Sequence, residues 1–346
     1  MINEPLKSAS ILQDGTILLG KSVVCDGYYE NRITAVFTHI HTDHISYFET
    51  ALGMCDKILV SKPTFDLLVA LKGEPISYRS NLAPMDFNTS YYNKLGEKIT
   101  LYQSNHILGS SQVLVNMQDG TKILYSSDFN FPEINTIPCD ILVIDSTHGD
   151  PRFDAIADSS SLERRLIELV KEEVETGKPV MIRAHRGRMQ YVMSLLSKEC
   201  IGAVKFLADD IDVKLSQVYA NYNLPCRKII PINKNPEAYR IINSGLPYIR
   251  FHTVGGPFTP EEEAGMRTIR LSSDVRLLEG PSLKEHAPNN FSIEISDHAS
   301  FSNIIKYVKA TNSKVVITDN VRTKSGRTLA SEIKKQLGIE AFPSPS

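Results

Sequence analysis

The chain has 346 residues, 42% of them hydrophobic, enough to bury the core of one large domain or two ordinary ones, and no apolar run approaches the roughly 20 residues that span a bilayer. Its formal net charge of −2, from 38 Lys and Arg against 40 Asp and Glu, offers no global field for a polyanion, so a nucleic acid would have to be held by local basic clusters. Five cysteines (Cys25, Cys55, Cys139, Cys200, Cys226) are odd in number, scattered and never in a CxxC pair, so neither a disulfide framework nor a thiolate zinc site is indicated.

Met1-Ile2-Asn3-Glu4-Pro5 lacks the basic start and apolar stretch of a signal peptide, and a soluble cytoplasmic protein is expected. Short apolar runs at 11–12, 17–19 and 23–24, separated by Asp14-Gly15 and Gly20, predict a β-meander that ends at Asp26-Gly27. The run Ile33-Thr34-Ala35-Val36-Phe37 predicts another strand, and it leads into Thr38-His39-Ile40-His41-Thr42-Asp43-His44. A single His is usually an ordinary surface or core residue. Three imidazoles and a carboxylate within six residues, behind a β-branched strand, form a ligand set. His39 and His41 share a side while the backbone is extended; Asp43 and His44 follow as the chain turns toward a helix and can aim at a second point. Imidazole and carboxylate without thiolate suit Zn²⁺, with Mn²⁺ or Fe²⁺ as alternatives. This is more ligand than one ion needs, and a two-metal hydrolytic site is expected.

A strand at 57–60 and a helix at 63–71 give an α/β unit, and a polar, Tyr- and Asn-rich connection (78–93) follows. The strand at 99–102 delivers Ser104-Asn105-His106-Ile107-Leu108-Gly109-Ser110, where His106 is suited to join His39 and His41 on one metal. Strands at 112–117 and 122–125, joined at Asp119-Gly120, form a hairpin ending in Ser126-Ser127-Asp128. Asp128 is the expected bridging carboxylate. The strand at 140–144 leads to Asp145-Ser146-Thr147-His148-Gly149.

Beyond Pro151 a helix with a Ser-rich start runs to Val174, and a strand at 180–182 enters Arg183-Ala184-His185-Arg186-Gly187-Arg188-Met189-Gln190. Free backbone N–H groups at a helix start, flanked by guanidinium groups, make an anion site, so Arg186, Gly187 and Arg188 are candidates for binding substrate phosphate, a solvated basic turn being the alternative. Alternation continues through segments at 204–207, 211–222, 228–231, 238–242 and 249–252, and Arg267, Arg270 and Arg276 crowd a later strand that could face nucleic acid. The strand Phe291-Ser292-Ile293-Glu294-Ile295 then ends in Ser296-Asp297-His298-Ala299-Ser300, before a helix at 301–310, a strand at 314–318 and a helix at 328–337.

The run from His39 to His44 resembles the HxHxDH signature of the metallo-β-lactamase superfamily. Asp145-Ser146-Thr147-His148-Gly149, the Gly-Arg-x-Gln of Gly187 to Gln190, and Asp297-His298-Ala299 resemble motifs of its β-CASP nuclease family, with Asp145 for the commoner Glu and His148 for an aromatic. The resemblance implies an α/β fold: an αββα metallo-β-lactamase sandwich with an inserted α/β β-CASP cap. It divides the chain into 1–150, the first part of the metallo-β-lactamase domain; 151–280, the cap; and 281–346, the second part. It implies one metal on His39, His41 and His106 and another on Asp43, His44 and His298, with Asp128 between them and the two ions about 3.5–4 Å apart. Asp43, Asp128, Asp145 and His286 are the catalytic candidates. Asp145 is suited to orient or carry a proton rather than to ligate. His286 is the nearest match to the family's middle-motif His, in a Pro- and Asn-rich loop, and Asp319-Asn320 stand where relatives often carry His-Gly. In the superfamily an Asp at a strand end props the ligands, and Asp26 matches it, a plain turn Asp being the alternative.

The implied activity is that of a metal-dependent phosphodiesterase, exo or endo, acting on nucleic acid through two Zn²⁺. RNA processing is favoured over single-stranded DNA, with no membrane partner and with a homodimer admitted. A ligase-associated type of DNA exonuclease in repair, a non-nuclease hydrolase of the metallo-β-lactamase fold and an inactive scaffold paralogue are the alternatives. All seven ligand positions carry usable ligand types, which counts against the last.

Overall fold

The computed structural model describes residues 8–155, 159–199, 204–224, 226–256, 265–272 and 282–346. The chain divides into two compact units, Met1–Asp154 with Asp297–Ser346, and Ala155–Ser296.

The first unit opens with the antiparallel meander β1 (Ala9–Ile11), β2 (Ile17–Leu19) and β3 (Val23–Cys25), in register Ala9↔Leu19 and Ile17↔Cys25. β4 (Thr34–Val36) pairs parallel to β3; after α1 (Phe48–Met54), β5 (Lys57–Ser61) and, beyond α2 (Lys62–Lys72), β6 (Leu82–Met85) extend the sheet in parallel. Ser61 caps α2 by accepting the Thr64 N–H at 3.2 Å, and Gly73 at φ 98 ends the helix.

A second sheet starts with β7 (Ser90–Tyr92), β8 (Lys98–Gln103), β9 (Ser111–Asn116) and β10 (Lys122–Tyr125), all antiparallel to their neighbours, and β11 (Ile141–Ile144) joins β10 in parallel. β6 and β7 both lie within the stretch read as a connection. β6 buries only its two end residues and β7 buries none, so no alternation of apolar residues announces them.

In the second unit, α3 (Ser159–Glu175) precedes β12 (Val180–Ala184), α4 (Arg188–Lys198), β13 (Lys205–Ala208), α5 (Asp210–Asn221), β14 (Ile229–Pro231), α6 (Pro236–Ile242), β15 (Tyr248–Thr253), β16 (Arg267–Ser272), β17 (Leu283–Ala287) and β18 (Asn290–Glu294). The order is β14-β13-β15-β12-β16-β18-β17, parallel except for the β17–β18 hairpin. The sheet's core, Val180, Ile182, Phe206, Ile249, Phe251, Ile269 and Ile293, packs against Leu166 and Val170 of α3 and Met189, Val192 and Met193 of α4. Such near-continuous apolar runs are what parallel strands covered by helices require. β17 and β18, read from sequence as part of the returning segment, belong to this sheet because β18 pairs with β16.

The chain re-enters the first unit through α7 (Phe301–Thr311), β19 (Val315–Asp319), α8 (Gly326–Leu337) and β20 (Glu340–Ser344), and β11, β19 and β20 run parallel in the second sheet. Ser300 caps α7, whose Ile304, Tyr307 and Val308 are buried. The two sheets of this unit share one core. Ile17, Leu19, Val23, Val36 and Leu59 from the first meet Ile99, Leu101, Val113, Val115, Ile123, Val143 and Ile317 from the second. Pairs two residues apart, such as Ile99 and Leu101, fall on one face because strand side chains alternate. Each such burial contributes about 1.5–3 kcal/mol.

The register also gathers loops. β8 and β10 are both antiparallel to β9, and β11 and β19 run parallel to β10. The residues that follow these four strands therefore leave one edge of the sheet, and those residues include His106, Asp128, Asp145 and Arg322.

Candidate metal centre

Regular pairing in β4 ends at Val36. The Phe37 N–H still reaches Leu59 O at 3.1 Å, and His44 and Ile45 donate to His41 O at 3.0 and 3.1 Å, so the turn forms ahead of α1. Its anchor is Asp26, held at φ 51. Thr38 donates its N–H to Oδ1 and its hydroxyl to Oδ2, each at 2.8 Å; Tyr125 donates to Oδ2 at 3.1 Å; and His44 Nδ1 lies 2.8 Å from the same oxygen.

The His106 loop is shaped by Ser110, whose Oγ accepts the N–H groups of His106 at 3.0 Å and Ile107 at 3.2 Å. Gly109 (φ 82) is required there, since a Cβ would lie 2.6 Å from Thr64 N, and its carbonyl accepts the hydroxyls of Ser61 and Thr64 at 2.6 and 2.9 Å. The Ala299 N–H donates to Phe129 O at 2.9 Å and binds the His298 turn to the Asp128 loop.

These loops bring His39, His41, His106 and Asp128 together, and neighbouring groups combine Asp128 with Asp145 and His298, and His106 with Asp297 and His298. His41 Nδ1 is 3.1 Å from both His39 Nε2 and His106 Nε2. Asp128 turns Oδ2 to His39 Nε2 at 3.6 Å and His106 Nε2 at 3.5 Å, and Oδ1 to His44 Nε2 at 3.4 Å. Asp43 Oδ2 lies 3.4 Å from the same His44 nitrogen, with its side chain 61% exposed. Asp43 and His44 fall in none of the three ligand groups among the described residues.

A regularity runs through the histidines. The Nδ1 atoms of His39, His44, His106 and His298 are held outward, at 3.0 Å by Thr38 Oγ1, 2.8 Å by Asp26, 3.2 Å by Asp297 O and 3.0 Å by Asp145 Oδ2. Such partners fix the tautomer and leave the other ring nitrogen for a cation. His44 Nε2 is buried and has no hydrogen-bond partner among the described residues. The residues fit a divalent cation: converging imidazole and carboxylate atoms, one of them without a hydrogen bond among the described residues, are the donor set such an ion takes.

The electrostatics agree. Burial, followed by the neighbouring His44 and His41, drives His39 well below the usual imidazole range, and burial also lowers His106; both are neutral, the form that ligates. Burial works against charge on Asp128, but His44, His106 and His298 outweigh it and hold the carboxylate well below its usual range. Burial opposes charge on His44 and His298 too. Asp128, with Asp26 and Asp43, pushes His44 up to about 10, and Asp145 pushes His298 up to about 9.

Asp145 spends Oδ1 on the N–H and hydroxyl of Thr147, at 2.8 and 2.7 Å, and gives Oδ2 to His298. His148 is buried and stacks on Phe153 at 4.5 Å. His286 is on exposed β17 of the second unit, 2.8 Å from Ser292 Oγ, and the Asn289 turn (φ 65) makes a hairpin of what read as a loop. Gly187 (φ 92) donates its N–H to Gln190 Oε1 at 2.7 Å as α4 begins. Arg186 is 28% exposed and pairs with Asp212 at 3.0 Å, while Arg188 is buried beside Glu294. Arg267 is tied to Glu172 and Glu173 of α3, at 3.1 and 2.9 Å, and Arg276 lies outside the described residues.

Two residues at the centre carry no assignment from the sequence. Asp297 Oδ1 lies 3.6 Å from His106 Nδ1, and its signal was an Asp-His pair like Asp43-His44. Arg322 Nε lies 3.7 Å from Asp43 Oδ2; a lone Arg between a strand and a helix carries no spacing that marks it.

No family model matches the chain. Known proteins do. It is 24% identical to the RNase J-like protein of Methanocaldococcus jannaschii over 89% of this chain and 86% of that one. It is 31% identical to the uncharacterized protein in the lig 3'region of Acidianus ambivalens over 37% of this chain and 91% of that one, and 31% identical to the endoribonuclease YSH1 of Eremothecium gossypii over 52% of this chain and 26% of that one. The fold is mixed α/β in three sheets with a histidine and carboxylate centre suited to divalent metal. The chain belongs to the β-CASP family of the metallo-β-lactamase superfamily.

Proposed function

We propose that this chain is a zinc-dependent nuclease that hydrolyses phosphodiester bonds of nucleic acid through a dinuclear centre, with RNA favoured over single-stranded DNA. In this reading the two-sheet unit is the metallo-β-lactamase sandwich and Ala155–Ser296 the β-CASP cap. The observation that carries it is Asp128, whose two oxygens face different imidazoles, His39 and His106 on one side and His44 on the other. His39, His41 and His106 would hold one cation, Asp43 and His44 the other with His298 beside them, and Asp128 lies between the two sets.

Bound at these positions, divalent cations supply a water of near-neutral pKa and polarise the phosphate. The chain's own part is geometric. The outward Nδ1 partners fix each ring. Asp145 holds His298 at 3.0 Å, so the pair can keep or deliver a proton beside Asp128. Arg186, part-exposed at the Gly187 turn, neutralises a backbone phosphate. RNA is supported by the relatives named RNase J-like and endoribonuclease. A ligase-associated DNA exonuclease is the second reading; one relative is named for its place in a lig 3'region.

Elemental analysis of untagged protein, with digestion of end-labelled RNA and single-stranded DNA side by side in Zn²⁺ or Mn²⁺, tests the reading. Close to two ions per chain and faster cleavage of RNA are expected. One ion or fewer after reconstitution removes the dinuclear centre, and faster cleavage of DNA selects the second reading.

A further inference from the structure

Arg322, in the loop between β19 and α8, is a guanidinium only 13% exposed. Nη1 donates to Asp319 Oδ2 at 2.8 Å and Nη2 donates to Gly15 O at 2.8 Å. Asp319 Oδ1 also accepts the backbone N–H groups of Val321 at 2.8 Å and Arg322 at 3.2 Å, so both ends of the side chain are fixed from one carboxylate. Gly15 (φ 85) leaves room for it, since a Cβ there would lie 3.3 Å from Nη2. Nε alone is unused: it is buried, has no hydrogen-bond partner among the described residues and lies 3.7 Å from Asp43 Oδ2.

A buried N–H left without an acceptor is costly, and its nearest carboxylate belongs to a candidate metal ligand whose side chain is otherwise largely exposed. Two effects of Arg322 on that ligand compete. Its charge would repel a cation, and its directed N–H would orient the carboxylate. Asp319 offsets part of the charge at hydrogen-bond distance, but the remainder reaches this position, where it opposes protonation of His44. Removal of Arg322 would tighten the second cation if repulsion were the larger effect and weaken it if orientation were, and the buried Nε aimed at Asp43 favours orientation.

We propose that Arg322 is a positioning residue which sets Asp43 as a ligand and so governs occupancy of the second cation position, that of Asp43 and His44, while leaving the first to the three histidines. The inference rests on the two-cation reading above. Arg322 acts through Asp43, and Asp319 and Gly15 hold it in place for that purpose.

The test is titration of Zn²⁺ into the metal-free wild type and R322Q, R322K, D43N and R322Q/D43N variants, in competition with a chromophoric chelator and alongside circular dichroism. R322Q should bind the first equivalent within about twofold of wild type and the second about 10–100-fold more weakly, as for other partners that orient ligands. R322K should recover part of the loss, and the double variant should be no worse than D43N, because both changes remove one device. Equal weakening of both equivalents, an unchanged second equivalent, or losses that add in the double variant would overturn the assignment. A wild type that takes only one equivalent overturns the two-cation reading instead, and the inference with it.

Discussion

His44 and Asp26 meet at 2.8 Å through Nδ1, and the far nitrogen of the same ring, Nε2, is buried, without a hydrogen bond among the described residues, and 3.4 Å from Asp128. Asp26 therefore acts on the centre without belonging to it, since it fixes His44, Thr38 and Tyr125 around one carboxylate. Asp26→Asn keeps the shape but offers an amide where an imidazole N–H needs a charged acceptor. Affinity for the ion on His44 should fall about 10–100-fold, and stability should drop by about 1–3 kcal/mol. Zn²⁺ titration and urea unfolding read the two effects, and unchanged metal affinity would reduce Asp26 to a turn residue.

Asp128→Asn tests the shared carboxylate. The fold should persist by circular dichroism, because the side-chain volume is unchanged. Cleavage of RNA should be lost, since an amide cannot bring one anionic oxygen to each group of histidines. Activity within about tenfold of wild type, or about 1.4 kcal/mol of barrier, would show that Asp128 is not the bridge.

Metal uptake should release protons. In the metal-free chain His44, pushed up to about 10, and His298, up to about 9, are protonated at pH 7, and each must lose a proton to ligate. Calorimetry in buffers of different ionisation enthalpy should show about one proton from each, with affinity rising as pH approaches 9–10. By the same linkage both folded values lie above the ordinary 6.5, so their stabilisation of the metal-free fold is full below pH 6.5 and is lost as pH rises through 9–10. Uptake without proton release would remove these two histidines from the ligand set.

Arg186 and Arg188 should behave differently although they flank one glycine. Arg186 is part-exposed, so Arg186→Ala should weaken polynucleotide binding and flatten its salt dependence by about 0.7 in log–log slope per lost phosphate contact. Metal content should not move, and neither should hydrolysis of bis-p-nitrophenyl phosphate. Arg188 is 5% exposed, and its charge only partly offsets the burial that pushes the Glu294 carboxyl up. Arg188→Ala should lower stability through the packing lost around a buried side chain, read by thermal unfolding. Identical salt slopes for Arg186→Ala and wild type would show that the turn does not read the backbone.

The loops that the structure gathers around Asp128 were legible in the sequence because chemistry and periodicity mark them together. His39, His41, Asp43 and His44 crowd six residues behind a β-branched run, and His106, Asp128 and His298 each sit just past a strand whose apolar pattern shows. β6, β7 and the strand bearing His286 were not, because edge and half-exposed strands carry too few apolar residues for a period of two to appear. The partners of these side chains were beyond sequence for another reason. Asp26 reaches Tyr125 across 99 positions, His298 reaches Asp145 across 153 and Arg322 reaches Gly15 across 307. Which carboxylate faces which imidazole depends on the register that aligns β8, β10, β11 and β19 at one edge, and no local run of residues encodes a distance that only strand pairing creates.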